Sequence, residues 1–109
     1  MKQLCTATFF SIFLLVSATT SADPFNCANH IAAAEAAIER AAHAMHELPE
    51  GKRALPHTLV DDAKMLLHSA KHNYEKPAAG GYDLARAAAK ADAARGFAEA
   101  AEVLSKAIQ

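Results

Sequence analysis

Apolar residues recur along this chain at helical spacing, and no stretch alternates as a β-strand would. Residues 26–48 contain neither glycine nor proline, and Ile31, Ile38 and Met45 recur every seven residues. A further apolar residue follows each of them after three positions: Ala34, Ala41 and Leu48. This stripe predicts a first helix whose alanines let a neighbouring backbone approach closely.

Two more helices are predicted, because proline and glycine interrupt the pattern at two places. Pro-Glu-Gly at 49–51 ends the first helix, and the second helix runs from residue 55 or 56 to residue 75. A loop at 76–81 precedes the third helix, residues 82–108. Gly96 lies midway along this helix, so a break there would give a fourth, but one long helix is favoured.

The second and third helices carry apolar stripes of their own. On the second helix the stripe consists of Leu59, Ala63, Leu66 and Ala70, flanked by Val60, Leu67 and Tyr74. On the third it consists of Leu84, Ala87, Ala91, Ala94, Phe97 or Ala98, Ala101, Leu104 and Ile108. Met45 and Met65 are expected to pack in the interior. The short loops predict an all-α fold, an antiparallel up-down-up bundle of three helices, which a homodimer would extend.

Residues 1–22 have the three parts of a secretory signal. Lys2 is followed by an apolar run and by a stretch of small residues that ends at Ala22. The apolar run is short for a bilayer span and has no basic flank on its far side, which argues against a retained membrane anchor. We therefore expect cleavage before Asp23, export to the periplasm, a single domain of residues 23–109, and no membrane association afterwards.

Charge and motif content argue against several functional classes. The chain has 11 Lys and Arg against 12 Asp and Glu, a net charge of -1, with no basic stripe for a nucleic acid. It contains no Cys-x-x-Cys-His, His-Glu-x-x-His, phosphate loop or nucleophile elbow. We therefore expect neither covalent haem, nor a nucleic-acid partner, nor an enzyme.

The histidines are concentrated in one part of the sequence, with five of the six between residues 39 and 72. His43 and His46 are three residues apart and His68 and His72 are four apart, so each pair shares a helix face and can offer two imidazoles to one ion. They fall mainly on outer faces, where packing does not require them. The candidate metal ligands are His30, His43, His46, His57, His68, His72, Glu39 and Asp61.

The antiparallel hairpin of the first two helices would place some of these residues level with one another. In that register His46 lies level with His57, and His30 with His72. One group of candidate ligands would then form near the hairpin loop: His43, His46, His57, Glu39 and Asp61. The other would form at the far end: His30, His68, His72, Glu35 and Cys27.

Cys27 is the one cysteine after the signal, so an internal disulfide in the exported domain is impossible. One interpretation is a buried thiol without a chemical role, which is slightly favoured. Another is a soft-metal ligand, because Cys27-x-x-His30 lies at a predicted helix start, where the dipole lowers a thiol pKa. A disulfide-linked homodimer is the third.

The chain resembles the small histidine-rich metal-binding proteins of the Gram-negative periplasm, which are alanine-rich helical bundles. The resemblance is carried by Ala41-Ala42-His43-Ala44-Met45-His46 and by residues 63–72, which contain His68 and His72. It implies binding of divalent ions, copper foremost, for sequestration or delivery without catalysis. Neutral imidazole also suits Zn(II) and Ni(II), and the general order of affinities favours Cu(II).

Two imidazoles and a carboxylate do not saturate a four-coordinate ion, so open and exchangeable sites are expected. The alternative function is a helical interaction or scaffold module of the cell envelope. In that case the alanine faces pack on a second copy or on a partner, and the histidines are incidental.

Overall fold

The computed structural model describes residues 23–109, and the predicted signal at 1–22 lies outside the described residues. Three α-helices make up this part of the chain, without a strand: α1 Cys27–His46, α2 Ala54–Glu75 and α3 Gly81–Ala107. A single 3₁₀ turn, Glu50–Lys52, joins the first two. The all-α prediction is confirmed, and each predicted helix begins and ends within about two residues of the observed one. Helix α3 runs through Gly96 unbroken, so the break that would divide it into two helices is absent.

Contacts between α1 and α3 show that these two helices run in the same direction. His30 lies against Asp92, and further along both helices Arg40 lies 3.8 Å from Glu102. The thiol of Cys27, at the start of α1, donates to the carbonyl of Leu84, near the start of α3. Helices α1 and α3 are therefore parallel, as an up-down-up bundle requires.

The middle helix, α2, runs antiparallel to both of the others. Lys71 lies 2.7 Å from Glu35 of α1, at the level that the predicted hairpin register indicates. Towards α3, the Lys90 ammonium donates to Ser69 and Asn73, at 2.7 and 2.8 Å. Helix α3 packs extensively along both partners, whereas α1 and α2 contact each other much less. The third helix is thus the centre of the packing.

The core is built mainly of alanine, and the first helix supplies its largest side chains. All six residues of the predicted stripe on α1 are buried, which confirms it: Ile31, Ala34, Ile38, Ala41, Met45 and Leu48. One apolar cluster joins Ile38 to Val60 and Ala98, and a second joins Ile31 to Ala70 and Ala91. Alanine at the crossings permits the short distances between helix axes that the sequence predicts.

On the other two helices the structure resolves one open alternative and overturns one separate packing prediction. On α3 the buried residue is Ala98 and not Phe97, which is 39% exposed. Met65, predicted to pack in the interior, is 71% exposed, so that prediction is wrong. Polar Asp83 and Ser105 are buried near the two ends of α3, satisfied by Ala79 N–H and the Ala101 carbonyl. Only three helices surround this core, so each buries a narrow strip and side chains beside the strip face solvent.

Polar side chains close the ends of α1. The Asp23 carboxylate accepts from the N–H groups of Cys27 and Ala28, at 2.9 and 3.1 Å. Partial burial raises the pKa of Asp23, but these hydrogen bonds outweigh burial and hold the pKa below its usual value. At the other end Arg53 donates to the carbonyls of Leu48 and His46. Backbone N–H groups at the start of α1 and backbone carbonyls at its end thereby have hydrogen-bond partners.

Within residues 23–109 we find no helix that is both long and apolar enough to cross a membrane.

Candidate metal site

The last turns of α1 present His43 and His46 on the exposed side of the helix. The Nε2 atom of His43 lies 3.1 Å from Oε1 of Glu47, one turn further along. The contact is at an ion-pair distance and is not a hydrogen bond, and it involves Nε2 only, so Nδ1 is not engaged by the carboxylate. Glu39 is the carboxylate expected in this group from the sequence, but Glu47, which was not a candidate, makes the contact. The four-residue spacing between His43 and Glu47 is the signal that could have indicated it.

A second pair of the same kind lies on α2. The Nδ1 atom of His57 is 3.2 Å from Oδ2 of Asp61, and both side chains are more than half exposed. This too is an ion-pair distance and not a hydrogen bond, and Nε2 of His57 is not engaged by the carboxylate. The predicted association of His57 with Asp61 is therefore present, as a local pair within one helix.

The third pair joins two helices. The Nδ1 atom of His30 on α1 lies 2.6 Å from Oδ1 of Asp92 on α3. Both line a shallow pocket of about 260 Å³ that also includes Arg95 and Glu99. All candidate ligands expected from the sequence lie between residues 27 and 72, and none lies on the third helix. Nothing in the local sequence marks Asp92, because only the parallel packing of α1 and α3 brings it to His30.

His68 and His72 occupy successive turns of α2, and both are exposed. Side chains four residues apart on a helix have their Cβ atoms roughly 6 Å apart, so two imidazoles can converge on one ion by rotamer choice. Lys64 and Glu75 lie one turn to either side of this pair. The pair therefore has one cation and one carboxylate as its helical neighbours.

The two multi-residue clusters expected from the hairpin register do not form. Within residues 23–109 there is no group of three or more His, Cys, Asp or Glu side chains placed to hold an ion. The register itself is right, as the Glu35–Lys71 contact shows. However, α1 and α2 contact each other little, and residues level with one another on outer faces point away from the seam. His30, expected opposite His72, contacts Asp92 on α3 instead.

Cys27 is a free thiol with no exposed surface, as the favoured interpretation expected. Burial, together with a hydrogen bond and the negative charge of Asp23, raises the pKa of this thiol to about 11. The helix dipole predicted a lowered pKa for this thiol, and that prediction is wrong. Removing a thiolate from water costs more free energy than the dipole at one helix end supplies. A thiolate is therefore disfavoured, and a disulfide to a second copy would require the start of α1 to move.

The described part of the chain thus forms a three-helix bundle in which three histidines contact carboxylates and the other three are exposed on α1 and α2. Comparisons with protein-family models, with curated proteins and with solved structures found no match. The family resemblance stated from the sequence motifs stays a prediction.

Proposed function

We propose that this protein binds and buffers divalent transition-metal ions, with Cu(II) favoured over Zn(II) and Ni(II), through exposed histidines on α1 and α2. The ion is cargo, held reversibly, and no catalytic step is part of the proposal. Export of the chain to the periplasm by a cleaved signal at residues 1–22 is part of the same proposal.

The observation that carries this proposal is the pairing of three histidines with carboxylates. His30, His43 and His57 each contact a carboxylate oxygen through one ring nitrogen, at 2.6 to 3.2 Å. In the His30–Asp92 pair, which is a hydrogen bond, the carboxylate orients the ring and makes the opposite nitrogen a better donor to a metal. When neutral, each of these imidazoles has a second ring nitrogen, away from the carboxylate, that can bind an ion.

The residues fit open sites and do not fit a closed one. A structural zinc site needs four protein ligands, and no group of even three candidate ligands is found among the described residues. Two imidazoles on one helix face supply half of a four-coordinate shell, and water or a second molecule supplies the rest. Such a site exchanges its ion readily, as a buffering or delivery role requires.

Two histidine pairs are the strongest candidates for these sites. His68 and His72 provide two imidazoles one helical turn apart, and His43 with His46 provides the other pair, with Glu47 beside it. His57 and His30 each provide one imidazole and a paired carboxylate. A divalent ion at the His57 site or at the His30 site would be bound by one ring nitrogen and water. We expect the two-imidazole sites to bind more tightly.

Calorimetric titration of the chelator-stripped protein with Cu(II), Zn(II) and Ni(II) tests the proposal. The test variant has all six histidines changed to glutamine. The matched control is Lys64→Gln with Lys76→Gln, two exposed positions on and just after α2. We expect binding by the natural chain and by the control, with Cu(II) tightest, and loss of binding in the six-glutamine variant. A metal affinity of the six-glutamine variant equal to that of the natural chain would contradict the proposal.

A further inference from the structure

The outer side of α3 is an apolar surface that no other part of the described bundle covers. Seven-residue repeats place small or apolar residues along it without a charged residue between them. We call this surface the α3 outer face, and it consists of Ala89, Ala93, Gly96, Ala100, Val103 and Ala107, all exposed. It lies opposite the alanines that pack against α1 and α2, and it extends over most of a 27-residue helix.

An apolar groove borders this face on the side of α2. It has a volume of about 330 Å³, and its lining combines Leu59 of α2 with Ala93, Gly96, Phe97 and Ala100 of α3. Phe97 is 39% exposed on the rim and Val103 is 68% exposed on the face itself. Large apolar side chains beside an uncharged helix face are typical of an association surface.

We propose that the α3 outer face binds the same face of a second copy of this chain, with the two helices antiparallel. In the register that covers the face from Ala89 to Ala107, Gly96 lies opposite the partner's Ala100, and Ala93 opposite the partner's Val103. Small residues thus meet at the centre, where the helices are closest, and a larger residue meets a smaller one on either side.

Charge complementarity supports a second copy as the occupant and the antiparallel direction. On the rim next to α1, this register places Asp92 beside the partner's Lys106, and two-fold symmetry repeats the pair. The two copies of Glu99 meet near the two-fold axis of the dimer. The charge of each is offset by Arg95 of the same chain, at 3.4 Å. On the other rim Phe97 meets the partner's Phe97 beside the groove. A parallel pair would separate Asp92 from Lys106 by two heptads.

Alanine and glycine bury little surface per residue, so the interface is smaller than that of an obligate dimer. We therefore expect a reversible dimer with a dissociation constant in the micromolar range. No histidine lies on this face, so the dimer forms equally in the presence of a chelator. The two proposals share Asp92, which contacts His30, but the four histidines at the end of α1 and along α2 that form the two-imidazole sites do not overlap with the residues of the α3 outer face. Failure of metal binding would therefore not exclude the dimer, nor would failure of the dimer exclude metal binding.

Sedimentation equilibrium of the chain over a concentration series, with chelator present, tests the proposal. Ala100→Arg places a charge at the centre of the interface and is expected to weaken dimerisation at least about tenfold. Ala32→Arg makes the same change at an exposed alanine of α1 and is the matched control, expected to leave the dimer intact. Circular dichroism of both variants checks that the helices are retained.

The antiparallel direction is tested by exchanging the charges of one rim. Asp92→Lys and Lys106→Asp are each expected to weaken the dimer severalfold, and the double variant to restore it. Because Asp92 also contacts His30, His30→Gln measures the effect of losing that contact alone and is expected to leave the dimer unchanged. A chain that is monomeric at all concentrations, or a dimer unaffected by Ala100→Arg, overturns the interface. Absence of restoration in the double variant overturns the antiparallel register.

Discussion

The outer surfaces of α1 and α2 differ from the outer surface of α3, although all three helices are rich in alanine. The first two helices carry all six histidines, and three of these contact carboxylates. The α3 outer face has no histidine and no charge from Ala89 to Ala107. Alanine content alone therefore says little about what a helix does. The residues at the outward positions of the repeat give each surface its own chemistry.

The largest expected effect is a difference in unfolding free energy between a substitution on the inner side of α3 and one on its outer face. Ala94 is completely buried between the helices, whereas its neighbour Ala93 is exposed. Ala94→Leu forces extra volume into a closely packed crossing and should lower the free energy of unfolding by about 3 kcal/mol. Ala93→Leu should change it by less than about 0.5 kcal/mol. Urea denaturation at low protein concentration measures both, and equal losses would contradict the assignment of the two sides.

The next effect concerns the polar connection between α3 and α2. Lys90 donates to Ser69 and to Asn73, and Asn73 is only 9% exposed. Lys90→Met would leave the Asn73 carbonyl oxygen without this donor and should cost about 2 kcal/mol of unfolding free energy. Lys64→Met, at an exposed lysine of α2, is the control and should be nearly neutral. A neutral Lys90→Met would show that water replaces the ammonium without loss.

A smaller effect compares the two histidine-bearing helices. An ion that binds only the folded chain stabilises it by about 1.4 kcal/mol when present at ten times its dissociation constant. His68→Gln with His72→Gln should remove the part of the Cu(II)-induced rise in melting temperature that arises on α2. His43→Gln with His46→Gln should remove the part that arises on α1. If either double variant keeps the whole rise, that pair is not a site.

The smallest expected effect is at the start of α1 and depends on pH. Asp23→Ala removes the acceptor for two N–H groups and should cost about 1 kcal/mol at neutral pH. The pKa of Asp23 is lower in the folded chain than in the unfolded chain, so its stabilisation is present above the unfolded pKa. It is lost as pH falls through the folded pKa. The stability difference between variant and natural chain should therefore shrink below about pH 4, and a difference independent of pH would contradict this.

The stripe of Ile31, Ile38 and Met45 shows how much of the fold follows from local pattern. Heptad spacing, helix-breaking residues and short loops are sufficient for three helices and their directions, because each depends on residues close in sequence. Phe97 and Met65 mark the limit of this approach. Both lie beside a predicted stripe, and only the packing of three helices decides which neighbouring residue is buried.

The candidate site likewise combines contacts that follow from local sequence with contacts that depend on the packing of the helices. The pairs His43 with Glu47 and His57 with Asp61 are one turn apart on one helix, so the sequence by itself determines that they can meet. The contact of His30 with Asp92 joins residues far apart in the chain, and only the tertiary structure decided it. The raised pKa of Cys27 likewise comes from burial that no local motif records. Helical spacing is a property of a few neighbouring residues, whereas burial and contacts between helices depend on how all three helices pack.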